Sequence, residues 1–440
     1  MKISVVGTGY VGLVTGAGFS ELGVDVVCVD NNQSKIDQLN QGGCPIHETQ
    51  LPELLERNST NGRLTFSTDL KTAVIESKVV MICVNTPSLD HDGSADLTDV
   101  LEVTRQIAEC IVDSTVVVVK STVPVGTGQT VRKLIESVNP DADIHVASNP
   151  EFLSEGTSLH DFMNPSRIVI GTESAQAKEI LRELYLPFIL QDVPIVDTNL
   201  ETAEMIKYAS NAFLATKISF INEVADLCEL TGVDVRGVAY GIGLDERIGK
   251  EHLRAGPGYG GLCFPKDTIA LVQTARNAGS PVRIVEQVVE INNQRKINMA
   301  LRVQSALGGS VHDKVIAILG LAFKPGTDDI RDSPSIAIIN KLTELGAIVH
   351  AHDPLAIANA QEVLQNVAFF DDVFEAVRGA DAVVFATAWD GYRKVDIDKL
   401  LADLTGPVIV DLHNLFEAKD FHTKNITYVG VGQGQTNPCS

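Results

Sequence analysis

The sequence lacks three features that define large classes of proteins: a long apolar run, an excess of positive charge and a cysteine framework. No apolar run approaches the roughly 18 residues that a membrane-spanning helix needs, and the start Met-Lys-Ile-Ser-Val-Val-Gly predicts a strand entering a motif, not a secretory signal. The formal net charge of -22 argues against nucleic-acid or anionic-membrane binding, because both need a basic face. We therefore expect a cytoplasmic protein with neither partner.

The seven cysteines stand at positions 28, 44, 83, 110, 228, 263 and 439. Their number is odd and no Cys-x-x-Cys occurs, so we predict neither a disulfide framework nor a metal centre. Cys28 and Cys83 lie in apolar strand patterns and are predicted core residues. With 440 residues, 44% of them apolar, the chain is predicted to form two or three globular domains.

The first thirty residues carry a dinucleotide-binding pattern. A short apolar strand, Ile3 to Val6, is followed by Gly7-Thr-Gly9-Tyr10-Val11-Gly12, a helix-like run, and a second strand, Val24 to Val29, that ends in Asp30. In such units the first glycine makes the turn, the second lets the backbone approach a pyrophosphate and the third allows close helix packing. A carboxylate at position 30 accepts hydrogen bonds from ribose hydroxyls and repels a 2′-phosphate, so NAD is predicted over NADP.

Three later strands are predicted to bring polar loops to one edge of the same sheet. Strands over 79–84 and 115–120 lead to Thr86 and Thr122, which either face a ligand or are ordinary turn residues. The strand over 144–147 opens into a loop that carries Glu151 and Glu155. These two carboxylates either face a ligand or are solvated, and the residues alone leave both choices open.

The middle of the chain is predicted to be helical. From Glu201 to Thr231 there is no Pro or Gly and apolar residues recur at helical spacing, which predicts one helix of about thirty residues ended by Gly232. Lys207 and Asn211 are i and i+4 on this helix and share a face. They are either a functional cation and amide or an exposed Lys and a tolerated Asn. A second helix is predicted over 282–307, and the Gly-Gly-Ser after it is a predicted domain boundary.

The segment Gly256-Pro-Gly-Tyr-Gly-Gly-Leu-Cys-Phe-Pro-Lys-Asp267 places one thiol between glycines and a Lys-Asp pair. Glycine at this density makes a regular helix or strand costly and lets backbone approach a ligand closely. We therefore predict an active-site loop around Cys263. A tight connection with a buried, inert thiol is the alternative.

The last third repeats the alternation of strands and helices, which predicts a second doubly wound domain. Its helix is predicted over 335–345, and its strands over 314–319, 348–352, 382–386 and 408–411. The loop after the first of these strands has no glycine triplet, so we expect it to hold something other than a standard dinucleotide. Lys324 and Arg331 in this loop are either anion contacts or solvated charges.

Taken together, these segments resemble the nucleotide-sugar 6-dehydrogenases over nearly the whole chain. The resemblance rests on six stretches: Gly7 to Gly12, Lys120 to Pro124, Asn149 to Leu153, Glu204 to Glu223, Gly256 to Asp267 and Phe323 to Arg331. It implies an α/β fold of two Rossmann-like doubly wound domains joined by a central helical region with a long spine helix. The implied domains are an NAD domain at 1–198, a helical dimerisation region with the Cys loop at 199–308 and a UDP-sugar domain at 309–440.

The resemblance also implies the site residues. Cys263 resembles the catalytic thiol, and the other implied catalytic residues are Lys207, Asn211, Asp267, Thr122 and Glu155. The implied cofactor contacts are Gly7, Gly9, Tyr10, Val11, Gly12, Asp30, Lys35, Thr86, Thr122, Glu155, Lys266 and Arg331. The implied substrate contacts are Glu151, Phe152, Leu153, Glu155, Lys207, Asn211, Tyr259, Gly260, Lys324 and Arg247, the last reaching a neighbouring subunit's substrate.

The activity that the resemblance implies is NAD-dependent, four-electron oxidation of UDP-glucose to UDP-glucuronate by a homodimer or larger homo-oligomer. A thiol suits the second oxidation, because it adds to an aldehyde and leads to a thioester that water cleaves. GDP-mannose or a UDP-N-acetylhexosamine as substrate remains an alternative, as does a non-catalytic NAD-binding regulator. The sequence departs from the family at Leu262, where Ser is usual, and at His47-Glu-Thr-Gln, where Pro-Ile-x-Glu is usually followed by Pro-Gly-Leu.

Overall fold

The computed structural model describes residues 1–89, 93–421 and 426–433. Cys439, one of the seven cysteines, lies outside these ranges. The chain forms two compact units, the first comprising Met1–Ser210 and Ala270–Pro281 and the second comprising Asn211–Ile269 and Val282–Ser440. Each unit contains one large, mainly parallel sheet.

The sheet of the first unit has eight strands in the order β3-β2-β1-β4-β5-β6-β7-β8. They are β1 (Lys2–Val6), β2 (Asp25–Val29), β3 (Leu64–Ser67), β4 (Val79–Ile82), β5 (Thr115–Val119), β6 (Ile144–Ser148), β7 (Ile168–Gly171) and β8 (Ile195–Thr198). Neighbouring strands are parallel except β6 and β7, which pair antiparallel at Ser148 and Gly171. The order of the first six strands is that of dinucleotide-binding folds.

Helices cover both faces of this sheet. Along β5, Val116 and Val118 belong to one apolar cluster and Val117 and Val119 to another, because successive side chains of a strand point to opposite faces. The helices of the first unit are α1 (Tyr10–Glu21), α2 (Gln33–Asn40), α3 (Leu51–Thr60), α4 (Leu70–Ile75), α5 (Thr98–Cys110), α6 (Thr127–Val138), α7 (Ser158–Met163), α8 (Ala175–Leu184) and α9 (Leu186–Ile189).

Four further helices form the middle of the chain: α10 (Leu200–Thr231), α11 (Val235–Gly243), α12 (Cys263–Asn277) and α13 (Arg283–Ala306). α10 begins in the first unit and continues into the second, and α12 begins in the second and ends in the first. The predicted spine helix is confirmed as α10, which has 32 residues. Gly232 follows it at a φ of 72°, a left-handed conformation that glycine adopts at little cost.

The glycine-rich segment is only partly a loop. The prediction that 256–267 avoids regular structure is wrong for its last five residues, because α12 begins at Cys263. Pro265 falls in the first turn of this helix, where a missing N–H costs no hydrogen bond. Cys263 therefore lies at the N-terminus of a helix.

The sheet of the second unit has six parallel strands in the order β11-β10-β9-β12-β13-β14. They are β9 (Val315–Leu319), β10 (Ile348–His352), β11 (Val367–Phe369), β12 (Ala382–Phe385), β13 (Val408–Asp411) and β14 (Thr427–Gly430). The helices between them are α14 (Pro334–Glu344), α15 (Ile357–Val363), α16 (Val373–Val377), α17 (Asp390–Arg393) and α18 (Ile397–Asp403), with a 3-10 turn at Ala418–Phe421.

One face of this second sheet packs on the middle helices. Ile316 and Ile318 of β9 share an apolar cluster with Ile221 of α10 and Met299 of α13. The predicted fold class, two Rossmann-like doubly wound sheets with a long helix in the central region, is confirmed, and the predicted strands differ from those observed by at most two residues at an end. Of the helices in the described ranges, none is long and apolar enough to cross a membrane.

Candidate active site

The turn between β1 and α1 and the start of that helix have no room for a side chain at Gly7 or Gly12. A Cβ atom added to Gly7, whose φ is 103°, would lie 2.6 Å from the carbonyl oxygen of Cys83, and one added to Gly12 would lie 1.8 Å from the carbonyl oxygen of Gly7. Gly9 is the N-cap of α1, and no side chain of the described residues caps that helix. Tyr10 and Val11 begin the helix, so its first N–H groups and its dipole face the turn, as a pyrophosphate requires.

Asp30 follows β2 and is tied to this turn. Its Oδ2 accepts hydrogen bonds from the backbone N–H of Thr8 at 2.9 Å and from the hydroxyl of Thr8 at 2.6 Å, and its Oδ1 accepts from the N–H of Asn32. Burial acts to raise the pKa of Asp30, but these donors and the nearby Lys35 outweigh it and hold that pKa below its ordinary value. Asp30 is thus an anion at neutral pH, with oxygen lone pairs left for further donors.

Two predicted loops meet at the carboxyl edge of the first sheet. The hydroxyl of Thr86, after β4, donates to the carbonyl oxygen of Thr122, after β5, at 2.8 Å. Ser121 makes a second link, because its hydroxyl donates to the carbonyl oxygen of Val84 at 2.7 Å. Thr86 and Thr122 therefore lie side by side at the edge where ligands bind in such sheets.

A buried ion pair joins the loop after β6 to α10. The Nζ of Lys207 lies 2.8 Å from Oε1 of Glu151, and the two side chains are only 3% and 5% exposed. Burial acts to raise the pKa of Glu151, but the Lys207 ammonium and the N–H of Leu153 hold it below its ordinary value. The ring of Phe152 lies 5.5 Å from the same Nζ, and its face is covered by Arg167 at 3.6 Å. The structure thus brings together four predicted substrate residues of the first unit: Glu151, Phe152, Leu153 and Lys207.

The turn that carries Glu155 is held by a residue that the motifs did not indicate. Glu155 is half-buried, and the N–H groups of Gly156 and Ser158 donate to the two oxygens of Glu48, at 2.8 and 2.9 Å. Glu48 lies in the unusual His47-Glu-Thr-Gln stretch, and the Tyr10 hydroxyl is 3.4 Å from the carbonyl oxygen of His47. Both contacting residues fit the family's Pro-Ile-x-Glu pattern, which the chain keeps at Pro45–Glu48, and the departure begins after them, at Thr49-Gln50.

Glu204 is a second functional candidate that was not predicted as a site residue. Its two oxygens accept from the N–H groups of Gly126 and Gly128, at 2.6 and 2.7 Å, so this α10 residue caps the N-terminus of α6. Burial raises the pKa of Glu204 to about 7, against the opposing effect of both N–H donors. The cap ties the loop that carries Thr122 to the helix that carries Lys207.

In the second unit, Asp267 joins two other predicted residues. Its Oδ2 accepts from the amide of Asn211 at 2.6 Å, and its Oδ1 is 2.7 Å from Nζ of Lys266. Asp267 is buried and lies on α12 four residues, about one helical turn, after Cys263. Cys263 itself is half-buried and not in a disulfide. The structure thus gathers Asn211, Lys266 and Asp267, with Cys263 at the start of the same helix.

The remaining predicted residues of the second unit lie in three places. Tyr259 is buried, which raises its pKa to about 12, and Gly260 packs so tightly that an added Cβ would lie 2.5 Å from the carbonyl oxygen of Asp332. Arg331 pairs with Asp329 at 2.8 Å, and the Nζ of Lys324 lies 5.4 Å from the ring of the preceding phenylalanine. Arg247, whose side chain is 88% exposed, pairs with Asp245.

A cavity of about 270 Å³ in the second unit is lined by α11, the segment before the Cys loop and the residues that follow β13. Three cations, Arg236, Lys250 and Arg254, line it together with apolar side chains and His413. Arg254 donates to the carbonyl oxygen of His413 at 3.0 Å. Burial, helped by Arg254, lowers the pKa of His413 to about 4, so this imidazole is neutral at pH 7. No motif signals this cavity in the sequence, because its residues come from distant segments.

Comparison with known families covers nearly the whole chain. Residues 1–189 match the NAD binding domain of the UDP-glucose/GDP-mannose dehydrogenase family, residues 201–294 its central domain and residues 317–418 its UDP binding domain. NAD is therefore the cofactor of the first domain, and the turn at Gly7–Gly12, with its open helix N-terminus, fits a dinucleotide.

Relatives and solved structures agree with these matches. The chain is 49% identical to UDP-glucose 6-dehydrogenase of Rhizobium meliloti (strain 1021), over 98% of this chain and 100% of that one. It is 45% identical to UDP-glucose 6-dehydrogenase TuaD of Bacillus subtilis (strain 168), over 98% and 93%. Its fold matches a UDP-glucose dehydrogenase from the archaeon Pyrobaculum islandicum with a TM-score of 0.91 at 38% identity, over 98% of both chains.

A UDP-D-ManNAc dehydrogenase from Pyrococcus horikoshii matches with a TM-score of 0.86 at 28% identity, over 99% of this chain and 100% of that one. The family matches, the full-length relatives and the paired sheets point the same way. The chain is an NAD-dependent oxidoreductase that belongs to the UDP-glucose/GDP-mannose dehydrogenase family.

Proposed function

We propose that this protein oxidises UDP-glucose to UDP-glucuronate through a covalent intermediate on Cys263. The observation that carries the proposal is the thiol at the N-terminus of α12, on the helix that also carries Asp267, four residues later, with its bond to Asn211. Full-length identity of 49% and 45% to two UDP-glucose 6-dehydrogenases supports the substrate. The likeness to a UDP-D-ManNAc dehydrogenase is weaker, at 28% identity, so oxidation of another nucleotide sugar is the second candidate.

The reaction removes four electrons from a primary alcohol. NAD, when bound, supplies the hydride acceptor for each of the two oxidations. In the second oxidation the Cys263 thiolate adds to the aldehyde carbon and forms a thiohemiacetal. Loss of hydride turns this adduct into a thioester, and water then releases the acid and the free thiol. The helix N-terminus stabilises the negative charge of the attacking sulfur, because its N–H dipoles point toward it.

The other proposed roles follow from charge and hydrogen bonding. In the first unit, Lys207 stabilises the oxyanion that forms on the reacting carbon, and its buried bond to Glu151 fixes the ammonium. Glu155 and Thr122 handle a proton and a water molecule there. In the second unit, Asn211 donates to the reacting oxygen or the attacking water, and Asp267, which holds the Asn211 amide at 2.6 Å, takes a proton.

We assign cofactor binding to 1–198, dimerisation and the Cys helix to 199–308, and UDP-sugar binding to 309–440. NAD contacts are assigned to the Gly7–Gly12 turn and to Asp30. The cationic cavity near His413 suits the nucleotide of the substrate, because a chain with a net charge of -22 must hold a diphosphate with locally placed cations. Lys324 is assigned to the same substrate.

A second copy of the chain is the proposed partner. Phe213, Phe220 and Leu227 of α10 follow one another at seven-residue spacing, so they share one face of the helix, and all three are exposed in the single chain, as is Leu230. Such a stripe is stable in water when another apolar face covers it. Arg247, exposed in one chain, is then the residue expected to reach the substrate of the neighbouring subunit. The cytoplasmic location stays a prediction.

The experiment compares wild type, Cys263→Ala and the control Cys110→Ala, which removes a half-buried thiol of the first unit. Wild type should form two molecules of NADH for each UDP-glucose. Cys263→Ala should bind both ligands but make acid from supplied 6-aldehyde at least about a thousandfold more slowly, a barrier change of about 4 kcal/mol. Cys110→Ala should match wild type.

Acid formation at the wild-type rate by Cys263→Ala would show that the sulfur is not the nucleophile. A panel of UDP-glucose, GDP-mannose and a UDP-N-acetylhexosamine tests the substrate separately. A higher kcat/KM for either alternative than for UDP-glucose would reject the proposed substrate while leaving the proposed chemistry in place.

A further inference from the structure

The backbone just before Cys263 is held by a side chain from a distant helix. Asn292 of α13 accepts a hydrogen bond from the N–H of Tyr259 at 2.8 Å and donates one to the carbonyl oxygen of the same residue at 3.1 Å. Asn292 is only 3% exposed. One planar amide thus satisfies both polar groups of one peptide residue, as a neighbouring strand would.

The start of the same loop is held in the same way by two other buried residues. Arg295, one turn along α13 and 4% exposed, donates from Nε to the carbonyl oxygen of Gly256 at 3.0 Å. The N–H of Gly256 donates to the side-chain oxygen of Asn222 on α10 at 2.8 Å. Arg295 also donates to the carbonyl oxygen of Asn222, which links the two helices. Both polar groups of Gly256 and of Tyr259 are therefore satisfied from helices.

The end of the loop packs on the segment after β9. The N–H of Gly261 donates to the carbonyl oxygen of Arg331 at 2.8 Å, and an added Cβ at Gly261 would lie 2.6 Å from the ring of Phe323. Lys296, adjacent to Arg295 on α13, donates to the carbonyl oxygen of Asp332 at 3.0 Å. Residues 292, 295 and 296 are i, i+3 and i+4, so one face of α13 holds the loop and also the segment on which it packs.

We propose that Asn292 and Arg295 are positioning residues that fix the path of the glycine-rich loop into α12 and so aim the Cys263 thiol. The proposal rests on the proposed role of Cys263. A glycine-rich loop has high conformational freedom of its own, and its buried N–H and C=O groups need partners. Rigid helices supply these partners at Gly256 and Tyr259, seven and four residues before the thiol. A thiol displaced by even about 1 Å would react on the order of a hundredfold more slowly.

The test uses Asn292→Asp, which keeps the size and the acceptor but removes the donor to Tyr259, together with Asn292→Ala. The matched control is Asn293→Ala, which changes the same residue type at an exposed position of the same helix. Three quantities are measured: kcat and KM with UDP-glucose, the rate of Cys263 alkylation by iodoacetamide between about pH 6 and 9, read by peptide mass mapping, and the melting temperature.

Asn292→Asp should lower kcat on the order of ten- to a hundredfold, with KM for UDP-glucose within about threefold. Its Cys263 alkylation rate should differ at least about threefold from that of wild type and follow pH differently, because the sulfur leaves its place at the helix N-terminus. Asn293→Ala should match wild type throughout. Asn292→Asp is the decisive variant if Asn292→Ala does not fold.

The proposal is overturned if Asn292→Asp lowers the melting temperature but leaves kcat and the alkylation of Cys263 per folded molecule unchanged, since Asn292 would then be structural only. If the proposed covalent role of Cys263 is wrong, a different experiment shows it: Cys263→Ala then forms acid at the wild-type rate. Alkylation does not depend on turnover, so it reports the position of the thiol whichever way that other experiment ends.

Discussion

The two Rossmann-like sheets begin with the same turn but use it differently. In the first, the N–H of Gly7 donates to the carbonyl oxygen of Val29 at 2.7 Å, and in the second the N–H of Gly320 donates to that of His352 at 2.8 Å. The two glycines have φ values of 103° and 108°. In both, the next strand is followed directly by an aspartate that accepts a hydrogen bond from a backbone N–H of the turn.

The difference lies in how much of each aspartate is already used. Asp30 is half-exposed and accepts from Thr8 and Asn32. Asp353 is 2% exposed and accepts five hydrogen bonds, from the N–H groups of residues 321, 322, 355 and 356 and from the indole of Trp389. One carboxylate remains half-exposed and can accept further hydrogen bonds, whereas the other is enclosed by its own fold.

The helix after each turn differs accordingly. α1 begins three residues after Gly7, whereas α14 begins only at Pro334, after a long loop from Gly320. The first arrangement presents a helix N-terminus to a pyrophosphate. The second leaves the edge of the sheet to a loop with Lys324 and Arg331. One strand order therefore supports two kinds of nucleotide site, and the loop chemistry decides between them.

The largest expected effect that separates the two sheets is on stability. Asp353→Ala leaves five donors without their acceptor, three of them in buried hydrogen bonds, and we expect the free energy of unfolding to fall by at least about 3 kcal/mol. Asp30→Ala should lower it by about 1 kcal/mol, because it removes only three hydrogen bonds and water can enter the half-exposed place of the carboxylate. Urea unfolding of both variants measures this difference. Equal losses would mean that the two aspartates have the same structural role.

The second effect concerns the cofactor. Asp30→Ala removes the proposed acceptor of the ribose hydroxyls, so KM for NAD should rise about tenfold or more, and the preference for NAD over NADP should fall because the proposed repulsion of a 2′-phosphate is lost. Asp37→Ala, at an exposed position of α2, is the control and should change neither. Steady-state kinetics with both cofactors provide the measurement. An unchanged preference in Asp30→Ala would place the selecting group elsewhere in the turn.

The smallest effect is on pH dependence. Burial raises the pKa of Glu204 to about 7 from 4.5, so the folded chain holds a proton that the unfolded chain releases between these values. Its contribution to the free energy of unfolding is complete below about pH 4.5 and is lost as the pH rises past about 7. In the second unit α14 is capped by the neutral Ser333, which has no such dependence.

Glu204→Gln cannot titrate, so its melting temperature should fall less than that of wild type between about pH 5 and 8, by a difference of a few degrees. Ser333→Ala should lower the melting temperature by a similar amount at every pH in this range. Calorimetry across the range gives the curves. Parallel curves for wild type and Glu204→Gln would contradict a protonated Glu204 in the folded chain.

Most of the fold could be predicted from local sequence patterns. The apolar runs of β1, β5 and β12 and the uninterrupted apolar repeat of α10 lie within single segments, so strand and helix follow from periodicity. The start of α12 at Cys263 was not predicted, because the high glycine content of the segment disfavours a helix. The pattern gave no sign that a helix resumes right after Gly261, at a residue followed closely by Pro265.

Long-range partners of the candidate site could not be predicted from the residues. Glu48 reaches the N–H groups of residues 156 and 158, and Asn292 reaches both polar groups of Tyr259. Such pairs join segments far apart in sequence, and a lone buried Glu or Asn has no periodicity of its own. Without several related sequences, only the folded chain reveals them.

The packing around the turn between β1 and α1 limits which amino-acid substitutions its glycines tolerate. Every single-base change that replaces a glycine codon by another amino acid adds at least a Cβ, and at Gly7 and Gly12 that atom would meet a backbone oxygen at 2.6 and 1.8 Å. At Gly9 the nearest atom, Oδ1 of Asn85, is 3.8 Å away. In a saturation library, variants at positions 7 and 12 should therefore be eliminated by selection for folding alone. Variants at position 9 should be eliminated only when growth depends on the bound dinucleotide. Selection for folding therefore constrains Gly7 and Gly12, whereas selection for cofactor binding constrains Gly9.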